Sequence, residues 1–126
     1  MIRLALITAI LLCTSTDTYG QQPLIMSGMV CDSAQYAQKI IDLKNQHVPD
    51  EEVRRLINGD RKEPVCGVVT VAFYPLQIVK RELMNGATVD IVHVTIIGAQ
   101  NPDNTTVWLK PGIERYMILF RKTTPI

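Results

Sequence analysis

The sequence predicts an α+β domain: two N-terminal helices packed on an antiparallel meander of four or five strands. A sheet this short and twisted can also curl into a small, partly open barrel. Three observations point there. Apolar residues between Tyr36 and Ile57 recur at helical spacing. From Val65 onward the pattern changes to two-residue alternation rich in Val, Ile, Thr and aromatic residues. Asn85-Gly86 lies between two such stretches and is a strong hairpin signal, because a type I′ turn needs positive φ at both central residues.

The first helix is expected from about Ser33 to Gln46. Asp32 or Ser33 caps it, and Asp32 with Gln35 fits a variant of the capping box. Tyr36, Ile40, Leu43 and His47 form one apolar ridge; Ala37, Ile41 and Val48 form the next. His47 falls at the helix end, where a cation suits the dipole. Pro49 opens a second helix with Asp50, Glu51 and Glu52 in its first turn, and Asn58-Gly59 ends it. Ahead of these helices, Gln21–Val30 has no helical period and contains Pro23 and Gly28. It reads as a loose arm whose apolar residues must pack somewhere, since leaving them exposed would make it sticky.

The strands follow. Val65–Tyr74 is the most strand-like run. Both its faces are apolar, as for a central strand covered on both sides, and Pro75 is expected to stop it. Leu76–Leu83 is the second strand. Thr88–Gly98 is the third, with Val92, Val94 and Ile96 on one face and Ile91, His93, Thr95 and Ile97 on the other. After a turn at Gln100–Asn104 come a short strand at Thr106–Leu109, a turn at Pro111-Gly112 and a last strand at Glu114–Arg121.

The bulk numbers limit the function classes. With 126 residues, 47% of them hydrophobic, the chain suits one packed domain. A net charge of +1 with no basic stripe argues against nucleic acid, and no Lys/Arg run suits an anionic membrane surface. Residues 1–20 have the order of a secretory signal peptide: Arg3, the apolar run Leu4–Leu12, then small and polar residues ending in Thr18-Tyr19-Gly20. The mature domain is then 21–126, in the periplasm or secreted, with no stable membrane anchor after cleavage. Cys13 follows Leu12, whereas a lipid-modified cysteine normally follows a small residue, so Cys13 is assigned to the discarded segment.

Two cysteines remain, Cys31 and Cys66. Export and an even count favour one structural disulfide, which joins the opening helix to the first strand and contributes roughly 3–4 kcal/mol in the chain-entropy model. The alternatives are weaker. Redox pairs usually sit closer in sequence, and only His47 and His93 could complete a zinc site.

At Cys31, Cys66-Gly67, Val71-Ala72-Phe73 and Ile91-Val92-His93-Val94 the chain resembles a group of small exported bacterial proteins of unknown function, mainly alphaproteobacterial. The resemblance implies a periplasmic or secreted setting and supports pairing Cys31 with Cys66. It implies no activity.

Catalytic motifs are missing: no G-x-G-x-x-G, P-loop, G-x-S-x-G or H-E-x-x-H occurs. No cofactor or metal is expected. His93 could serve as a general base, but Asp90 lies three positions away on the same strand and so points to the other face. Its partner would have to come from a neighbouring strand. Asn104-Thr105-Thr106 reads as turn residues. Trp108, Tyr74 and His93 could form a binding surface, although covering an open end of the core is the more ordinary role for Trp108. The expected function is a non-enzymatic module that binds an envelope protein or component through loops at Leu76–Gln77 and Gln100–Thr105. The alternative is a small periplasmic hydrolase using His93, which would require a concave pocket and a carboxylate or hydroxyl within hydrogen-bond reach.

Overall fold

The computed structural model describes residues 22–121; the segment read as a signal peptide lies outside them. The chain forms β1 (Leu24–Cys31), α1 (Ala34–Asn45), α2 (Asp50–Asn58), β2 (Cys66–Met84), β3 (Ala87–Gln100) and β4 (Thr106–Phe120). The class is α+β. The four strands are antiparallel in the order β1-β2-β3-β4, and hydrogen bonding between β1 and β4 closes them into a ring.

The expected loose arm is strand β1, so the helices are not N-terminal: they are inserted between β1 and β2. The two-residue pattern of β1 is hidden because both its faces are apolar. Its register with β2 runs unbroken from Leu24↔Phe73 to Cys31↔Cys66. Gly28 fits within the strand because a Cβ there would lie 3.3 Å from the Met117 Cε methyl.

Two expected breaks are also absent. Pro75 does not end a strand, and the expected loop at Leu76–Gln77 is part of β2. Pairing with β1 stops at Phe73, so beyond it one edge of β2 has no strand partner among the described residues, and a missing N–H costs nothing there. Register shifts at Ala72/Phe73, Pro75/Gln77 and Ile78/Lys80 bend the strand through this region. Pro111-Gly112 is likewise not a turn between strands. Ile96 pairs with Ile113 and Gly98 with Trp108, so Leu109–Gly112 bulge out opposite Ile97 within the continuous β4. The Lys110–Pro111 peptide is cis. Gly112 is required by close approach, since a Cβ would stand 2.9 Å from the Ile96 carbonyl oxygen. The hairpin is as expected: Asn85 and Gly86 have φ of 52° and 85° between the paired Met84 and Ala87.

The sheet buries a core on each face. Inside the curl, Val71, Phe73, Val92, Val94, Ile96 and Met117 pack on one another. Outside it, Ala37, Ile40 and Ile41 of α1 and Val53 and Ile57 of α2 cover Cys31, Cys66, Met84, Val89, Ile91 and Ile118. Neighbours Ile91 and Val92 therefore serve different cores, as strand alternation requires. The expectation that the first half of β2 is covered on both faces fails at Val68, which is 68% exposed.

Ser33 caps α1, its Oγ accepting a 3.3 Å hydrogen bond from the Tyr36 N–H; Asp32 instead lies 3.3 Å from the Arg115 guanidinium. His47 stands at the end of α1, as expected. It lies beyond the helix in the left-handed region (φ 62°), and the Val48 and His47 N–H groups donate to the Leu43 and Lys44 carbonyls. That is a Schellman stop with histidine where glycine is usual. Pro49 stands just before α2, and Asp50, Glu51 and Glu52 fill its first turn.

Candidate functional site: a groove between helix α1 and the sheet

Cys31 and Cys66 are disulfide-bonded. They are the last residue of β1 and the first of β2 and are directly paired across the ladder, so the bond joins strand to strand rather than helix to strand. It closes the base of the loop that carries both helices. Buried Asn58, the last residue of α2, reinforces this point. Its Nδ2 donates to the Cys66 carbonyl (3.0 Å), and its Oδ1 accepts from the Val65 and Cys66 N–H groups (2.8 and 3.1 Å). The disulfide is compatible with an oxidising, exported location.

Away from this end the ring is barely closed. β1 pairs with β4 only at Met29↔Ile118, Val30↔Met117 and Cys31↔Tyr116. Among the described residues, Leu24–Gly28 make no ladder pair with β4, which ends at Phe120. The gap, together with the valley beneath α1, forms a groove with two lobes of about 350 Å³ each. Met29, Ile40, Lys44 and Val68 line both lobes. One lobe lies under α2, where Val53, Arg54 and Ile57 face Cys66 and Gly67. The other lies in the gap, between Met26–Gly28 and Ile118–Phe120, with Met84 alongside.

Lys44 stands where the lobes meet. Its ammonium pairs with Asp50, and its side chain is 26% exposed against 75% for Asp50. The hydrogen bond from Lys44, then the charge of Lys44, holds the Asp50 carboxyl below its ordinary 3.8; Arg54 adds a smaller pull in the same direction. The arrangement is an apolar trough with Lys44 at the junction of its lobes and Arg54 on the wall of one. Such a trough binds by desolvation and orients its ligand by charge.

The sequence-derived binding residues lie elsewhere. His93, Tyr74 and Trp108 share the outer sheet face beyond the helices, as their register with β3 requires: Tyr74 pairs with Thr95, His93 with Tyr116 and Trp108 with Gly98. The Trp108 ring lies across Gly98, where a Cβ would meet it at 2.9 Å, and the residue is 60% exposed. His93 stacks on Tyr116, with ring centroids 4.9 Å apart, and its Nε2 lies 2.7 Å from Glu114 Oε1. A carboxylate from the neighbouring strand is thus within reach, but His93 lines neither lobe of the groove. Asp90 faces Arg81 (2.9 Å) and Arg121 (3.7 Å) and does not approach His93. In the Gln100–Thr105 loop, Asn104 adopts φ 70°, and the Thr105 hydroxyl and N–H donate to Asp103, lowering its pKa. These are turn contacts.

The sequence hides the groove because the residues that open it have the pattern of a loose arm. The available signal was the uncharged run Leu24–Cys31 with Met26 and Met29, too apolar to be left in water.

Compared with protein-family models, curated proteins and solved structures, the chain has no significant match.

Proposed function

We propose that this chain is an exported, non-enzymatic binding module, and that its ligand site is the groove between α1 and the parted strands β1 and β4. One observation carries the reading: two apolar lobes, each about 350 Å³, meet at a single lysine. That is the size and chemistry of a small-molecule site. The lobe under α2 is lined by Asn58 and Cys66 of the disulfide-fixed end, so that lobe is preformed; the other opens away from it in the gap. The mature protein is exported by the segment 1–20 and acts in the periplasm or outside the cell on an envelope component.

An anionic naphthalene dye that fluoresces in apolar surroundings tests the site. The folded chain should bind one dye, and Val68→Asp, at an exposed wall position, should abolish the signal while leaving the far-ultraviolet spectrum intact. No dye binding, or equal binding by the variant, contradicts the reading. Mass determination of the exported chain tests processing; the expected mature N-terminus is Gln21.

A second reading, hydrolysis through His93, is favoured by the 2.7 Å approach of Glu114. It requires ester turnover above free imidazole that both His93→Ala and Glu114→Gln abolish.

A further inference from the structure

We infer that the groove takes a free fatty acid of medium chain length, with its carboxylate at Lys44 and its alkyl chain in the gap between β1 and β4. This rests on the groove being the ligand site and goes further by naming the ligand class.

Charge sets the head group. Among the described residues lining the two lobes, Lys44, Arg54 and Asp50 are the charged ones, leaving one net positive charge. Among the described residues, Lys44 is the only charged one lining both lobes and the only charged one in the gap lobe. Its present partner Asp50 is far more exposed than Lys44 is. A ligand carboxylate can therefore take the place of Asp50 while Asp50 turns to water, and Arg54 stands beside it. A neutral head group gains no ion pair there, and a cationic one is repelled.

Size and wall chemistry set the chain. A methylene takes up about as much space as a water, whose share of the liquid is about 30 Å³, so one lobe accommodates roughly twelve carbons. The gap lobe has an apolar lining in which Met26, Met29 and Met84 recur. Thioether side chains adapt to a flexible chain better than branched ones do.

The test is titration calorimetry of the delipidated, disulfide-bonded protein with monomeric laurate, with glycerol monolaurate (same chain, neutral head) and with dodecyltrimethylammonium (cationic head). Laurate is expected to bind one-to-one and at least tenfold more tightly than the monoester, the scale of one charge-assisted contact. Lys44→Met should reduce that preference several-fold. Asp50→Asn, which frees Lys44 without disturbing the wall, should tighten laurate binding several-fold. Equal affinity for laurate and monoester, or no response to either substitution, overturns the carboxylate assignment but leaves the groove as an apolar site. Failure of all three amphiphiles to bind overturns the groove reading as well. Binding to laurate vesicles but not to monomer also overturns the inference, in favour of a membrane surface.

Discussion

The two ends of β1 are built differently although they belong to one eight-residue strand. At Cys31 the strand has neighbours on both edges, a covalent bond to β2 and Asn58 bridging the adjoining backbone. At Leu24 only β2 pairs with it among the described residues, and Leu24, Ile25 and Met26 are 45%, 70% and 41% exposed. The first end holds the fold together; the second leaves the gap that becomes a groove. Stability and binding are thus placed at opposite ends of one element, and mutations at the two ends should separate them.

The largest effect is expected at the closed end. Replacing both cysteines by alanine removes the tie across a 35-residue separation and should cost about 3–4 kcal/mol in urea unfolding. Asn58→Ala comes next. It leaves two backbone N–H groups and the Cys66 carbonyl without their partner at a buried site and should cost about 2–3 kcal/mol. At the open end, Ile25→Ser changes a side chain that is mostly in water, and its effect should stay within about 0.5 kcal/mol. A loss at Ile25 as large as that at Asn58 would break the contrast.

The smallest effect concerns Asp50 at the groove. Its carboxyl is held below 3.8 by Lys44. The ion pair therefore contributes above the unfolded carboxyl's pKa, and its contribution is lost as pH falls through the lower folded value. Both partners reach solvent, so the contribution is small and salt-sensitive. Carbon-detected NMR titration should find Asp50 titrating below an exposed aspartate, and Lys44→Met should return it to the ordinary range.

The same contrast explains what could be read from the sequence. Both helices, the hairpin at Asn85-Gly86 and the alternation of Val92, Val94 and Ile96 against Ile91 and His93 were legible because each is a local pattern with one physical reading. The Cys31–Cys66 bond was legible from cysteine count and export signals, but its strand-to-strand geometry was not, because β1 itself went unseen. Leu24–Cys31 is apolar on both faces, so period-two reasoning had nothing to grip. Pro75 and Pro111 misled for a related reason. Proline stops a strand only where its N–H is needed, and Pro75 falls where β1 has already ended and Pro111 inside a bulge. Edge and bulge are properties of the whole sheet, and no local window contains them. The groove inherits the same blindness: it lies between strands nearly ninety positions apart, and Lys44 enters it from a third element.

Amide hydrogen exchange along β1, resolved residue by residue on the monomeric protein, tests the central claim most directly. Met29, Val30 and Cys31, flanked on both edges, should be protected together. Over Leu24–Gly28 protection should alternate, with the amides facing β2 slow and those facing the gap fast. Uniform protection from Leu24 to Cys31 would mean that the ring has no open end; uniform fast exchange would mean that β1 is not a strand of the sheet. Either result would contradict the account.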